Sequence, residues 1–124
     1  MKIRIKGNSL RIRLTRPEVD FFGREGYIEE KTSFGNTCLI YALKSDPEIS
    51  ELSAEFSDNQ ITMFIPENDA KNWTTTERIS CENEIETGEG KKLFLLVEKD
   101  FKCLDNTTED QSDNYENPLA SENR

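Results

Sequence analysis

The chain has 124 residues, with 25 Asp and Glu against 16 Lys and Arg and no His, for a formal net charge of -9. Without imidazole there is no Ser-His-Asp triad, no Cys-His dyad and no His metal site. The acidic balance also argues against non-specific DNA binding, which needs clustered Lys and Arg. The length suits one domain, and a hydrophobic fraction of 34% leaves a thin core.

Residues 1–6 (Met1-Lys2-Ile3-Arg4-Ile5-Lys6) alternate charge with Ile, and Leu10-Arg11-Ile12-Arg13-Leu14 alternates again after Gly7-Asn8-Ser9. That pattern predicts a β-hairpin with Ile3, Ile5, Leu10, Ile12 and Leu14 on its apolar face. The alternation lacks the continuous apolar stretch of a signal peptide, and no run approaches the ~20 residues of a membrane span. A cytoplasmic protein that does not enter membranes is expected. Thr15 then caps a short helix starting at Arg16-Pro17-Glu18, with Glu18 placed for a capping box. Val19, Phe21 and Phe22 form its apolar side, and Gly23 and Gly26 are expected to end it. Strands at Tyr27–Phe34 and Thr37–Lys44 follow, joined by Gly35-Asn36.

The order then recurs. Strands Glu51–Phe56 and Ile61–Ile65 flank a turn at Asp58-Asn59. A helix is expected at Glu67–Trp73, then strands at Ile79–Glu86 and Lys91–Lys99 around Gly88-Glu89-Gly90. At an offset of 51, Leu10 falls on Ile61, Leu14 on Ile65 and Phe22 on Trp73. The expected fold is therefore α+β and β-rich: two ββαββ repeats, residues 1–46 and 51–100, form an eight-stranded antiparallel barrel or sandwich with two short helices. Trp73 and Phe22 are expected to plug the ends of its core. Residues 1–104 make the single β-rich domain. Residues 105–124 make an acidic, partly disordered tail, since Asp105–Asn114 has no apolar residue to offset its ordering entropy. Tyr115 and Pro118-Leu119 are the tail's candidate anchors.

Cys38, Cys81 and Cys103 are too far apart for a Cys-x-x-Cys pair, so reduced thiols are expected, at least two of them in the core. Cys103, beside the tail, is the one whose reactivity stays open, with only Lys99 and Lys102 near it in sequence. Asp100–Leu104 followed by Glu109–Pro118 could be read as a calcium loop, but it lacks the ligand order and central Gly of an EF-hand, so an acidic solvated tail is the simpler assignment.

The most informative feature is charge sorting. The first sixteen residues hold six basic side chains and no acid. Alternation puts Lys2, Arg4, Lys6, Arg11 and Arg13 on one face of one hairpin. Such a face repels itself unless anions lie near. The candidates are the chain's own acids (Glu82, Glu84 and Glu86 on one strand, Glu29 and Glu30 on another), a partner's acidic surface, or a small anion held by forked Arg side chains. Alternate carboxylates at Glu82, Glu84 and Glu86 could instead hold Mg²⁺ or Mn²⁺ opposite Arg4 and Arg13, as a phosphohydrolase would require. The simpler assignment is a charged edge strand that discourages aggregation.

The opening Met1–Thr15 resembles the start of a family of small uncharacterised bacterial proteins, a domain of unknown function. Glu98-Lys99-Asp100-Phe101-Lys102-Cys103-Leu104, with the acidic stretch to Asn117-Pro118, resembles that family's ending. The resemblance spans about residues 1–118 and implies no activity. The expected eight-stranded architecture is also loosely similar to the triphosphate-tunnel (CYTH) barrels. Those carry Glu-x-Glu-x-Lys on the first strand where this chain has Lys2-Ile3-Arg4-Ile5-Lys6, so the similarity implies architecture alone.

The sequence thus favours a binding module over an enzyme. The basic face Lys2, Arg4, Lys6, Arg11 and Arg13 would take an acidic protein surface or a small anion, without a cofactor. The alternatives are a phosphoanion-binding or metal-dependent hydrolase barrel and a structural homo-oligomer subunit.

Overall fold

The computed structural model describes residues 1–101. Ten elements follow in chain order: β1 (Lys2–Lys6), β2 (Ser9–Leu14), α1 (Arg16–Glu25), β3 (Tyr27–Ser33), β4 (Cys38–Asp46), β5 (Ser53–Ser57), β6 (Gln60–Pro66), α2 (Glu67–Thr75), β7 (Ser80–Gly88) and β8 (Lys91–Lys99). Local chemistry accounts for their ends. The β5–β6 turn uses Asp58 and Asn59, both in the left-handed region, as a tight hairpin turn demands. At the start of α1 the Thr15 backbone N–H donates to Glu18 Oε1 at 2.8 Å. Gly26 closes α1 at φ +73°, its N–H donating to the Phe22 carbonyl. Gly23 does not end the helix but lies within it. A Cβ there would meet the Thr74 side chain at 3.3 Å, so Gly23 is where α1 and α2 approach closely.

The strands form two four-stranded sheets, in the orders β1-β2-β8-β7 and β3-β4-β6-β5. Neighbours in sequence pair antiparallel, but each sheet is completed by a parallel pair, β2 with β8 and β4 with β6. The expected all-antiparallel arrangement is therefore corrected to two mixed sheets. They do not close into a barrel. The physical reason is burial. The strands richest in apolar residues, β2, β4, β6 and β8, take the centres, where both neighbours shield them. The less apolar β1, β3, β5 and β7 take the edges, where each presents at least one exposed charge that discourages further pairing. Alternation specifies a half-buried strand but not which partner lies beside it or in which direction. Exchanging β1-β2-α1-β3-β4 with β5-β6-α2-β7-β8 leaves the pairing pattern unchanged.

The inward faces of both sheets and both helices share one core, including Ile12, Leu14, Leu95 and Val97 from the first sheet, Leu43, Met63 and Ile65 from the second, and Phe22 and Trp73. The Phe22 and Trp73 rings meet edge to face with centroids 6.2 Å apart. The indole N–H donates to the Ile79 carbonyl at 2.9 Å, so this buried donor is satisfied. Asn83 Nδ2, on the inward face of β7, donates to the Leu52 carbonyl at 2.9 Å and ties the first sheet to the segment before β5. Cys81 belongs to this core, and burial pushes its thiol pKa up. Cys38 is exposed at the start of β4, so it is not the second core thiol the sequence suggested. Cys103 and the tail lie outside the described residues.

The Met1 side chain is fully buried, and its amino group donates to the carboxylates of Glu18 and Glu30. Tyr41 adds a hydrogen bond to the Met1 carbonyl at 3.2 Å. Burial alone would lower the pKa of this ammonium, but its hydrogen bonds to Glu18 and Glu30 prevail and raise it above its ordinary value of 8.0. Burial would likewise raise that of Glu18, but the ammonium and the Thr15 N–H and hydroxyl hold it below its ordinary 4.5.

Two outcomes follow from this packing. Trp73→Ala should cost about 3–5 kcal/mol in urea unfolding, as a large buried aromatic replaced by a cavity does; a cost under about 1 kcal/mol would contradict a fully packed site. The ammonium contributes stability in full below pH 8.0 and loses it as pH rises through its raised folded value. Glu18 contributes above pH 4.5 and loses it as pH falls through its lowered folded value. Stability should therefore plateau between these limits, and Glu18→Gln should shrink both limbs in a pH series of thermal melts.

Candidate functional site

On β2, Leu10, Ile12 and Leu14 are buried, which turns Arg11 and Arg13 outward. Antiparallel pairing sets Lys2 opposite Arg13 and Arg4 opposite Arg11, with Lys6 opposite Ser9. The five basic residues named from the sequence therefore do share one outer face. Its cross-strand pairs are like-charged, which is unfavourable unless offset.

The offset comes from β8. The parallel register puts Glu98 beside Arg13, Leu96 beside Arg11 and Phe94 beside Ser9. Arg13 donates to Glu98 Oε1 from Nε at 2.9 Å and sits against it through Nη2 at 2.7 Å, while Arg11 Nε is 4.0 Å from the same oxygen. Asp100 lies 3.6 Å from Lys2 Nζ and 4.0 Å from Arg13 Nη1. The acids suggested by the sequence are engaged elsewhere or stand apart. Glu29 accepts from the Tyr27 hydroxyl and pairs with Lys31, Glu30 holds the Met1 amino group, and Glu84 pairs with Lys92.

Compensation is thus uneven along the face. At the Lys2–Arg13 end the charges are paired within the chain. At the other end Arg4 and Lys6 have no ion pair among the described residues. There Arg4, Lys6, Ser9, Arg11, Phe94 and Leu96 line a shallow depression of about 210 Å³. Phe94 is 38% exposed, so cations and apolar surface are presented together.

Glu82, Glu84 and Glu86 point the same way from β7, paired across β8 with Leu96, Phe94 and Lys92. They are exposed and stand two strand spacings from β2, roughly 10 Å away. The outer face therefore runs from basic (β1, β2) through apolar (β8) to acidic (β7). It does not gather both signs in one cavity, as a phosphohydrolase site would require. Among the described residues no group of three or more Cys, Asp or Glu is placed to hold a metal ion.

Sequence reasoning missed Phe94, Leu96, Glu98 and Asp100. A signal was present: Leu93–Val97 is apolar at every position, so one face of that strand had to present apolar side chains away from the core. What the pattern could not supply was the neighbour, β2, that makes those residues part of a cationic site.

The chain belongs to DUF7009, a family of unknown function. The family's model matches residues 1–119, so the match takes in both sheets and continues through the acidic stretch beyond β8. No curated protein and no solved structure matches the chain. The DUF7009 match agrees with the resemblance seen at the two ends of the chain, and it carries no activity.

Glu98→Gln should leave Arg11 without a carboxylate and Arg13 with only the more distant Asp100. The expected loss is about 1 kcal/mol or less, given that both arginines are partly solvated. It should be measurable by urea unfolding at low salt and should shrink at high salt as screening grows. No loss at low salt would mean that Glu98 does not offset the cationic rows.

Proposed function

We propose that the protein is a cytoplasmic binding module whose outer basic face takes an acidic polypeptide segment. The observation that supports this most is the depression in which Arg4, Lys6 and Arg11 border Phe94 and Leu96. Cations attract and orient a carboxylate-rich partner. The apolar strip offers contact area that a lone small anion would not use. With the acidic β7 edge on the same face, the cationic area is confined to β1 and β2, which disfavours a nucleic acid that needs a continuous basic track. No helix of the described residues is long and apolar enough to cross a membrane. Binding by charge and apolar contact needs no metal or cofactor. We also infer that residues 1–104 form one domain, followed by an acidic tail over residues 105–124. The exchangeable topology is taken to reflect an internal ββαββ duplication.

The test uses poly-L-glutamate as probe, titrated against the wild-type chain and the Arg4→Gln, Lys6→Gln, Arg11→Gln triple variant at low salt. The variant should bind at least about ten-fold more weakly, equivalent to roughly 1.4 kcal/mol. Phe94→Ser should weaken binding with little change in salt dependence. Equal affinity in the wild type and the triple variant would overturn the assignment of the face. Inorganic pyrophosphate binding as tightly as the peptide, unaffected by Phe94→Ser, would favour a small-anion site instead.

A further inference from the structure

The outer basic face has a candidate occupant within the same chain. β8 runs parallel to β2 and ends beside it, the Asp100 N–H donating to the Leu14 carbonyl at 2.7 Å. The described chain therefore ends close to the Lys2–Arg13 end of the basic face, where the Asp100 carboxylate already lies beside Lys2 and Arg13. Residues 102–124 follow. From Asp105 to Glu116 they carry five carboxylates, Asp105, Glu109, Asp110, Asp113 and Glu116, and no Lys or Arg. Tyr115, in the same run, could meet the apolar strip of Phe94 and Leu96. An extended run of that length reaches roughly 35–40 Å, against ~14 Å for the length of β1. The reach is ample even if residues 102–104 turn the chain back. The DUF7009 match also extends to residue 119 and so includes this run.

We propose that the acidic segment 105–116 folds back onto the basic face and occupies the depression bordered by Arg4, Lys6 and Arg11 as an internal competitor of an acidic partner. This rests on the assignment of that face as a binding surface. Tethering gives such a segment an effective concentration in the millimolar range, enough for a contact that would be weak between separate chains. An external acidic ligand must then displace the tail, which sets a threshold on binding.

The experiment keeps the full chain and neutralises the segment: Asp105→Asn, Glu109→Gln, Asp110→Asn, Asp113→Asn and Glu116→Gln together. All five positions lie outside the described residues. A control with the same change in net charge neutralises exposed acids elsewhere: Glu25→Gln, Glu48→Gln, Glu51→Gln, Glu55→Gln and Asp58→Asn. Backbone amide shifts and poly-L-glutamate affinity are measured at low salt. In the tail variant the amides of Arg4, Lys6, Arg11 and Leu96 should move while those of Gln60 and Thr62, on the second sheet, stay in place. Its affinity for poly-L-glutamate should rise about ten-fold or more. The control should show neither change. Unmoved amides, or a rise in affinity matched by the control, would overturn the tail contact. If the tail variant matches wild type while the Arg4, Lys6, Arg11 variant has lost binding, the tail inference fails and the binding-face reading stands. If the amides move but no chain binds poly-L-glutamate, the tail contact stands and the external-ligand reading fails.

Discussion

The parallel pairing of β2 with β8 is the contact on which most of this molecule depends. It joins the first hairpin to the last, across nearly the whole described chain, while β4 with β6 joins the two middle hairpins into the second sheet. Each pair places two strongly apolar strands side by side at the centre of a sheet, where both long edges are shielded. The inward residues of all four central strands then face one core, which the two helices complete through Phe22 and Trp73. Removing either pairing would leave a hairpin with one buried face and no sheet to extend, a unit that is marginal on its own.

The same contact decides the electrostatics. Alone, the first hairpin would set Arg4 against Arg11 and Lys2 against Arg13 with no counter-charge. Docking β8 beside it supplies Glu98 and Asp100 at one end of the face and only Phe94 and Leu96 at the other. The paired end is explained by folding. The open end is not used by the described fold, and this asymmetry makes it a candidate for recognition. A second charged cluster, the Met1 amino group between Glu18 and Glu30, is paired with both carboxylates, and so acts on stability.

Membership of DUF7009 brings no chemistry with it, so the functional argument rests on this face alone. The sorting from basic to apolar to acidic across one sheet is what a selective protein contact requires: attraction on one side, desolvation in the middle and repulsion that sets register. The sequence also carries an acidic run, Asp105–Glu116, a few residues beyond β8, opposite in charge to that face.

The sequence alone determined the elements and which face of most strands is apolar. Period-two alternation located the hairpins, the Thr15–Glu18 pattern placed the first helix, and charge sorting named all five basic residues of the face. These are local properties, since a side chain's direction on a strand and a cap's hydrogen bond depend on residues a few positions away. Where local signals were ambiguous the outcome differed: Gly23 looked like a helix end but serves a helix–helix approach, and Cys38 looked like a core thiol but is exposed. What only the tertiary structure decided was adjacency. Antiparallel closure was the simplest arrangement of eight alternating strands, yet burial of the most apolar strands selected two mixed sheets. The acids beside Arg13 came from the end of β8 and the residue after it, more than eighty residues away in sequence, and not from β7 or β3. Alternation carries no information about which strand lies next door, because many neighbours satisfy one half-buried face equally well. The choice among them is made by the packing of the whole core.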